Sequence, residues 1–245
     1  MDKIGIIGGS GLSTLTPLEE LRREVAYTPY GPPSGPLTHG RLYGREITFL
    51  ARHGYGQTIP PHKVNYRANL WALNTLGVNR VIAVSSVGGI RADLVAGALA
   101  VPEQIIDYTT GRACTFFEQD LELVTHIDFT EPYDAALRAA LLDGAATAGV
   151  PIVAGGVYAA VQGPRLETAA EVTRLERDGA DMVGMTGMPE AALARELGIA
   201  YATLAVVSNR AAGRGKTPIH AEIDAHLRAA LAHVLKVLEH TLQTL

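Results

Sequence analysis

Four short stretches of the chain set hydroxyl, guanidinium and imidazole donors at the ends of apolar runs, and donors so gathered suit an anion. In "KIGIIGGSGL", residues 3–12, an apolar run exits through glycines around Ser10, a turn that exposes backbone N–H groups. In "LARHGYG", Arg52 and His53 follow a second run; an arginine grips phosphate with two N–H groups, and a histidine beside it adds a third donor. In "AVSSVGGI", Ser85, Ser86 and two glycines end a third run and turn hydroxyl and amide donors outward. In "VGMTGMPEA", Thr186 stands just ahead of a helical pattern whose N-terminus favours negative charge. Each stretch alone also reads as a turn, a solvated pair or a helix cap. The first does not complete a dinucleotide fingerprint, because Thr14 stands where the third glycine belongs, and no Gly-Lys-Ser/Thr follows to make a P-loop. Together, the four point to free phosphate more than to a nucleotide.

Those donors need a frame. At 245 residues with 47% apolar content, the chain can bury a large core. Short apolar runs at 4–7, 47–51, 80–86, 101–106, 153–160, 182–185 and 201–207 read as strands, several of them apolar on both faces. Helical patterns lie between them at 64–76, 135–148, 168–177 and 189–197. A last helix follows, with Ile223, Leu227, Leu231, Val234, Leu235, Leu238 and Leu242 on one face and Thr217-Pro218 as its cap and first residue. This is an α/β pattern with a mostly parallel, covered sheet. No repeat, linker or low-complexity tract interrupts it, so one domain over 1–245 is expected. In open sheets of this kind, ligands sit beyond the carboxyl ends of strands, where the four stretches fall.

A formal net charge of −4 without a basic run gives no reason to expect a nucleic-acid or membrane partner. The single cysteine, Cys114, excludes an internal disulfide and reads as a buried thiol. The N-terminal residues have neither a basic region nor a long apolar one, so a cytoplasmic protein is expected.

The blocks "IGIIGGSGL", "LARHG", "HKVNYRANLWAL", "QGPRLETAAE" and "GADMVGMTGMPEAALARELGIAYA", with the strand end at Asn209, resemble in order the purine nucleoside phosphorylase and methylthioadenosine phosphorylase family over nearly the whole chain. The resemblance implies a trimeric or doubly trimeric α/β enzyme, with a mixed sheet flanked by helices, that cleaves a nucleoside with inorganic phosphate. It implies no metal and no cofactor beyond that co-substrate. It places phosphate at Ser10, Arg52, His53, Ser86, the Val87 amide and Thr186, and Met185 under the sugar. As the glycosidic bond stretches, the sugar gains oxocarbenium character and the purine gains negative charge. Catalysis then needs an aligned anion on one side and leaving-group stabilisation on the other. His53 is therefore read as a phosphate donor rather than a general base.

The base and sugar follow from departures within the family. Where the methylthioadenosine branch has Ser/Thr-Asp-x-Asp, this chain reads "SNRAA": Asn209 replaces the first acid and Ala211 the second. An asparagine amide donates to O6 and accepts from a protonated N7, which suits a 6-oxopurine. In "GPRLET", Glu167 stands where oxopurine enzymes of the family carry glutamate, an acceptor for N1–H. Inosine-type substrates are accordingly expected over adenosine-type ones. Aligning "PIHAEID" on the family's last helix puts His220 toward the sugar's 5′ group, which points to a 5′-hydroxyl; 5′-methylthioinosine stays open as the alternative. Leu166 stands where the family usually has phenylalanine packed on the nucleoside. His126 in "VTHIDF" is the residue expected to cross into a neighbouring subunit's pocket.

Overall fold

The computed structural model describes residues 2–13, 15–118 and 123–245, with the backbone alone at 224, 225, 227 and 228. Thr14 and the side chain of Leu227 thus lie outside the described residues. The first strand, β1 (Ile4–Gly8), is buried along its whole length because its isoleucines alternate between two cores. Ile6 faces helices α2 (Ala135–Thr147) and α5 (Ile219–Thr244); Ile7 faces α1 (Tyr66–Thr75) and α4 (Gly187–Glu196). A sheet covered on both faces has no use for polar alternation, which is why these strands read as continuous apolar runs.

The chain makes one mixed sheet, with most of its strand pairs parallel, flanked by helices. Next to β1 lies β4 (Arg45–Ala51), followed outward by the antiparallel edge of β3 (Leu37–Leu42) and β2 (Glu19–Glu24). On its other side runs β5 (Arg80–Gly89), the strand that organises the site. One edge of β5 is paired along its length by β11 (Ala200–Arg210), with a register shift between Val207 and Asn209. The opposite edge divides. Pairing with β1 ends at Ala83, and pairing with β10 (Met182–Gly184) begins only at Gly88. Residues 84–87 thus lie at a fork where the sheet changes neighbours, the place where α/β sheets hold ligands.

Several elements differ from the sequence reading. The run 101–106 is two strands, β6 (Leu99–Val101) and β7 (Gln104–Asp107), parted by Pro102, which has no N–H for a ladder. The run 153–160 breaks at Gly155 and Gly156, both at positive φ, into β8 (Ile152–Ala154) and β9 (Val157–Ala160). β5 does not end at Ser86: it continues through Gly88 and Gly89, where a Cβ at Gly89 would lie 1.9 Å from the Leu94 carbonyl oxygen. Those glycines permit close packing inside a strand rather than a turn. β2 and β3 were missed because β2 is exposed and charged, "EELRRE", with no apolar alternation to detect. Pro218 is itself the residue before α5, and no side chain caps that helix. Cys114 is exposed rather than buried, in the segment after β7.

Candidate active site

The fork opens into a cleft of about 200 Å³. Ten of the sequence-singled residues line it: Ser10, Arg52, His53, Ser86, Val87, Leu166, Glu167, Met185, Thr186 and Asn209. They come from the ends of β1, β4, β5, β10 and β11 and from the segment before α3 (Ala169–Arg177).

Arg52 sits in the fork with no exposed surface. Its Nη1 donates to the Val84 carbonyl at 3.0 Å, a strand oxygen that neither β1 nor β10 reaches. Nε and Nη2 donate to the two oxygens of Glu190 at 2.7 and 2.8 Å, and the Tyr201 hydroxyl donates to the same carboxylate at 2.8 Å. A guanidinium has five N–H donors, so two remain on the Nη nitrogens for a ligand. Burial works against the charge of Arg52, but the Glu190 carboxylate outweighs it and lifts the guanidinium above its usual range. Burial, with Glu190 beside it, also pushes the Tyr201 hydroxyl well up, so Tyr201 stays a donor. The turn at Gly9 is shaped around this arginine: a Cβ there would lie 2.6 Å from Val84 O and 2.9 Å from Arg52 Nη1.

His53 turns its Nδ1 to the Ile59 carbonyl at 2.8 Å. Because a carbonyl only accepts, Nδ1 carries the proton, and in the neutral ring Nε2 is an acceptor. Burial and then Arg52 push the imidazole below its usual range. The donor role expected of His53 thus takes a second proton on Nε2, which a phosphate dianion in the cleft favours by offsetting the field of Arg52.

Thr186 precedes α4, but its side chain makes no capping bond. Its Oγ1 has only a 3.5 Å contact with Ser85 Oγ, which leaves the hydroxyl available to the cleft. Met188 is extended (φ −119°, ψ 141°), so the regular helix begins after it, where the sequence pattern 189–197 has it. Ser85 is buried behind Ser86, which borders the cleft.

Across the cleft, Asn209 follows the register shift in β11. Its Oδ1 accepts from Ser208 Oγ at 2.8 Å, and its Nδ2 donates to the Arg210 carbonyl at 2.8 Å. Those bonds orient the amide and leave one N–H and one lone pair for a ligand. Burial pushes the Glu167 carboxyl above the usual carboxylate range, and Glu171 adds to the rise. Glu167 stands at the foot of α3, where Thr168 and Glu171 form a reciprocal capping box. Those two residues satisfy the first turn, so Glu167 is not needed as a cap.

Two expected residues lie elsewhere. His220 is exposed in the first turn of α5 and does not line the cleft. One turn of helix separates it from Ile223, which does, so the face of α5 turned to the cleft is apolar there. His126 is exposed on the long connection before α2, outside the cleft. Glu190 was not foreseen: it sits in the apolar first half of a helix whose other charges, Arg195 and Glu196, come at its end, and its partner stands 138 positions away. Such an acid signals a buried cation partner without saying which.

The family model described as "Phosphorylase superfamily" matches residues 3–243. A probable S-methyl-5′-thioinosine phosphorylase from Pseudomonas syringae pv. tomato is 52% identical over 243 residues, covering 99% of each chain. The 6-oxopurine nucleoside phosphorylase of Pyrococcus furiosus is 47% identical over 229 residues, 91% of this chain and 85% of its own. Among solved structures, a double mutant of adenosine/methylthioadenosine phosphorylase from Schistosoma mansoni, in complex with adenine, superposes with a TM-score of 0.94 at 32% identity. It covers all of this chain and 92% of its own.

Proposed function

The chain belongs to the phosphorylase superfamily, and from that premise we propose that its fork cleft transfers the sugar of a 6-oxopurine nucleoside to inorganic phosphate. The enzyme is a pentosyltransferase of the purine nucleoside phosphorylase type. The observation that carries the reading is the arrangement of one cleft: anion donors at the fork and an asparagine with a carboxylate across from them.

Phosphate occupies the β1, β4 and β5 ends, held by Ser10, the two remaining N–H donors of Arg52, His53, Ser86, the Val87 amide and Thr186. No metal or cofactor besides phosphate enters the reading. The sugar lies over Met185, where the anion meets C1′ as positive charge develops. The departing base is held at O6 by the Asn209 N–H, at protonated N7 by the Asn209 oxygen, and at N1–H by Glu167. A 6-aminopurine presents the opposite pattern at N1 and C6. A site built on hydrogen bonds rejects such a mismatch by roughly 10⁴-fold or more.

At the 5′ position Ile223 favours 5′-methylthioinosine over inosine. A methylthio group gains from an apolar wall, whereas a 5′-hydroxyl there would lose its water without a partner. The likeness to S-methyl-5′-thioinosine phosphorylase supports the same choice. Assembly into trimers, with His126 near a neighbour's pocket, is supported by the exposure of Leu123 and Val124 beside it. A cytoplasmic location belongs to the same reading; among the described residues no helix is long and apolar enough to cross a membrane.

The deciding experiment is kcat/KM at saturating phosphate for 5′-methylthioinosine, inosine and 5′-methylthioadenosine. We expect them to rank in that order. Preference for inosine would move the 5′ group away from Ile223, preference for the adenine nucleoside would overturn the base assignment, and turnover without phosphate would make the enzyme a hydrolase.

A further inference from the structure

Arg112, in the segment after β7, joins three segments with one guanidinium, and each of them supplies a residue that lines the cleft: Pro61, Glu167 and Met185. Nη2 donates to the carbonyls of Gln162 at 2.9 Å and Val161 at 3.3 Å, and Nε donates to the Gln162 side-chain oxygen at 3.2 Å. Those residues leave β9 toward Glu167. Nη1 donates to the carbonyls of Met185 at 2.9 Å and Met188 at 2.6 Å, beyond β10. The Tyr66 hydroxyl oxygen lies 3.3 Å from Nη1, sharing one of its two hydrogens, and that hydroxyl donates to the Pro61 carbonyl at 3.0 Å. The same segments meet below the cleft: a Cβ on Gly163 would lie 2.5 Å from Met185 Sδ and 3.1 Å from Pro61 Cγ.

We propose that Arg112 is a positioning residue that sets the spacing between Met185 and the 161–167 segment, and so fixes the width of the nucleoside half of the cleft. Four backbone carbonyls on two unlinked strand exits turn to one planar group, which a lysine's single ammonium could not serve in the same geometry. Of the residues assigned to phosphate, Ser10, Arg52, His53, Ser86 and Val87 lie at or near the ends of β1, β4 and β5 and take no bond from Arg112, whereas Thr186 lies between its partners Met185 and Met188. Its influence thus falls more heavily on nucleoside binding than on phosphate binding.

The proposal rests on the nucleoside reading, and its test is equilibrium binding, which needs no turnover. Calorimetry measures Kd for 5′-methylthioinosine without phosphate and Kd for phosphate without nucleoside, in wild type, Arg112→Met and Arg112→Lys. With the stem kept and the donors gone, Arg112→Met should weaken nucleoside binding about tenfold or more, since small misplacements in such sites are costly. Phosphate Kd should rise by about threefold or less, since Thr186 is one phosphate donor of several and the others share no partner with Arg112. Arg112→Lys should fall between the two. Equal weakening of both ligands, or of neither, overturns the proposal. A purely structural role would lower the fraction of binding-competent protein and leave both Kd values unchanged. If Arg112→Met does not fold, Arg112→Lys decides by the same comparison. Hydrolysis of the nucleoside in the phosphate-free titration would refute phosphorolysis while the Kd comparison still judges Arg112.

Discussion

In the proposed reading, the choice of base turns on Asn209. Its Nδ2 already donates to the Arg210 carbonyl, and the remaining N–H is the one left for O6. An aspartate there would set a carboxylate oxygen against both acceptors. We expect Asn209→Asp to lower kcat/KM for 5′-methylthioinosine by about 10²-fold or more, the usual effect of removing a donor to developing negative charge. Steady-state kinetics at saturating phosphate measures it, and an unchanged value would remove Asn209 from base recognition. Glu190 shows what one residue cannot disclose by type. An acid in an apolar helix is costly alone, yet here it anchors a buried arginine through two hydrogen bonds and aims its free donors.

Strands and turns decide where such residues point. β5 serves two neighbours on one edge, and the gap between them is filled by Arg52 from β4. Gly9, in the exit turn of β1, is tight for a different reason from glycines at positive φ: its backbone is ordinary, but no room exists for a side chain. We expect Gly9→Ala to push Arg52 out of the fork, destabilise the protein by about 1–3 kcal/mol as overpacking does, and raise KM for phosphate more than KM for nucleoside. Thermal unfolding beside two-substrate kinetics tests this; unchanged phosphate KM would show that the turn accommodates a methyl group without moving the arginine.

At the scale of the whole molecule, the net charge of −4 does not draw an anion in, and Glu190 balances the charge of Arg52; what suits an anion is the set of hydrogen-bond donors gathered at the fork. The apolar side chains of Leu123 (83% exposed) and Val124 (74% exposed) lie beside His126 and suit a neighbouring copy. We expect light scattering at assay concentration to give about three times the 25.9 kDa chain mass. A fully active monomer would discard both the trimer and the crossing role of His126. The alternation of doubly apolar runs with helical patterns fixed the α/β class, because burial on both faces leaves that trace in composition. Donor residues at strand ends pointed to the proposed anion site only as a group, since each alone also fits a turn, a solvated pair or a helix cap. What only the tertiary structure decided was partnership and direction. That β1 and β10 share one edge of β5, that Glu190 meets Arg52 across 138 positions, that Ile223 rather than His220 faces the cleft, and that Arg112 joins three segments all depend on contacts between distant parts of the chain. Local periodicity carries no record of those contacts, since each residue type there is compatible with several neighbours until the sheet closes around it.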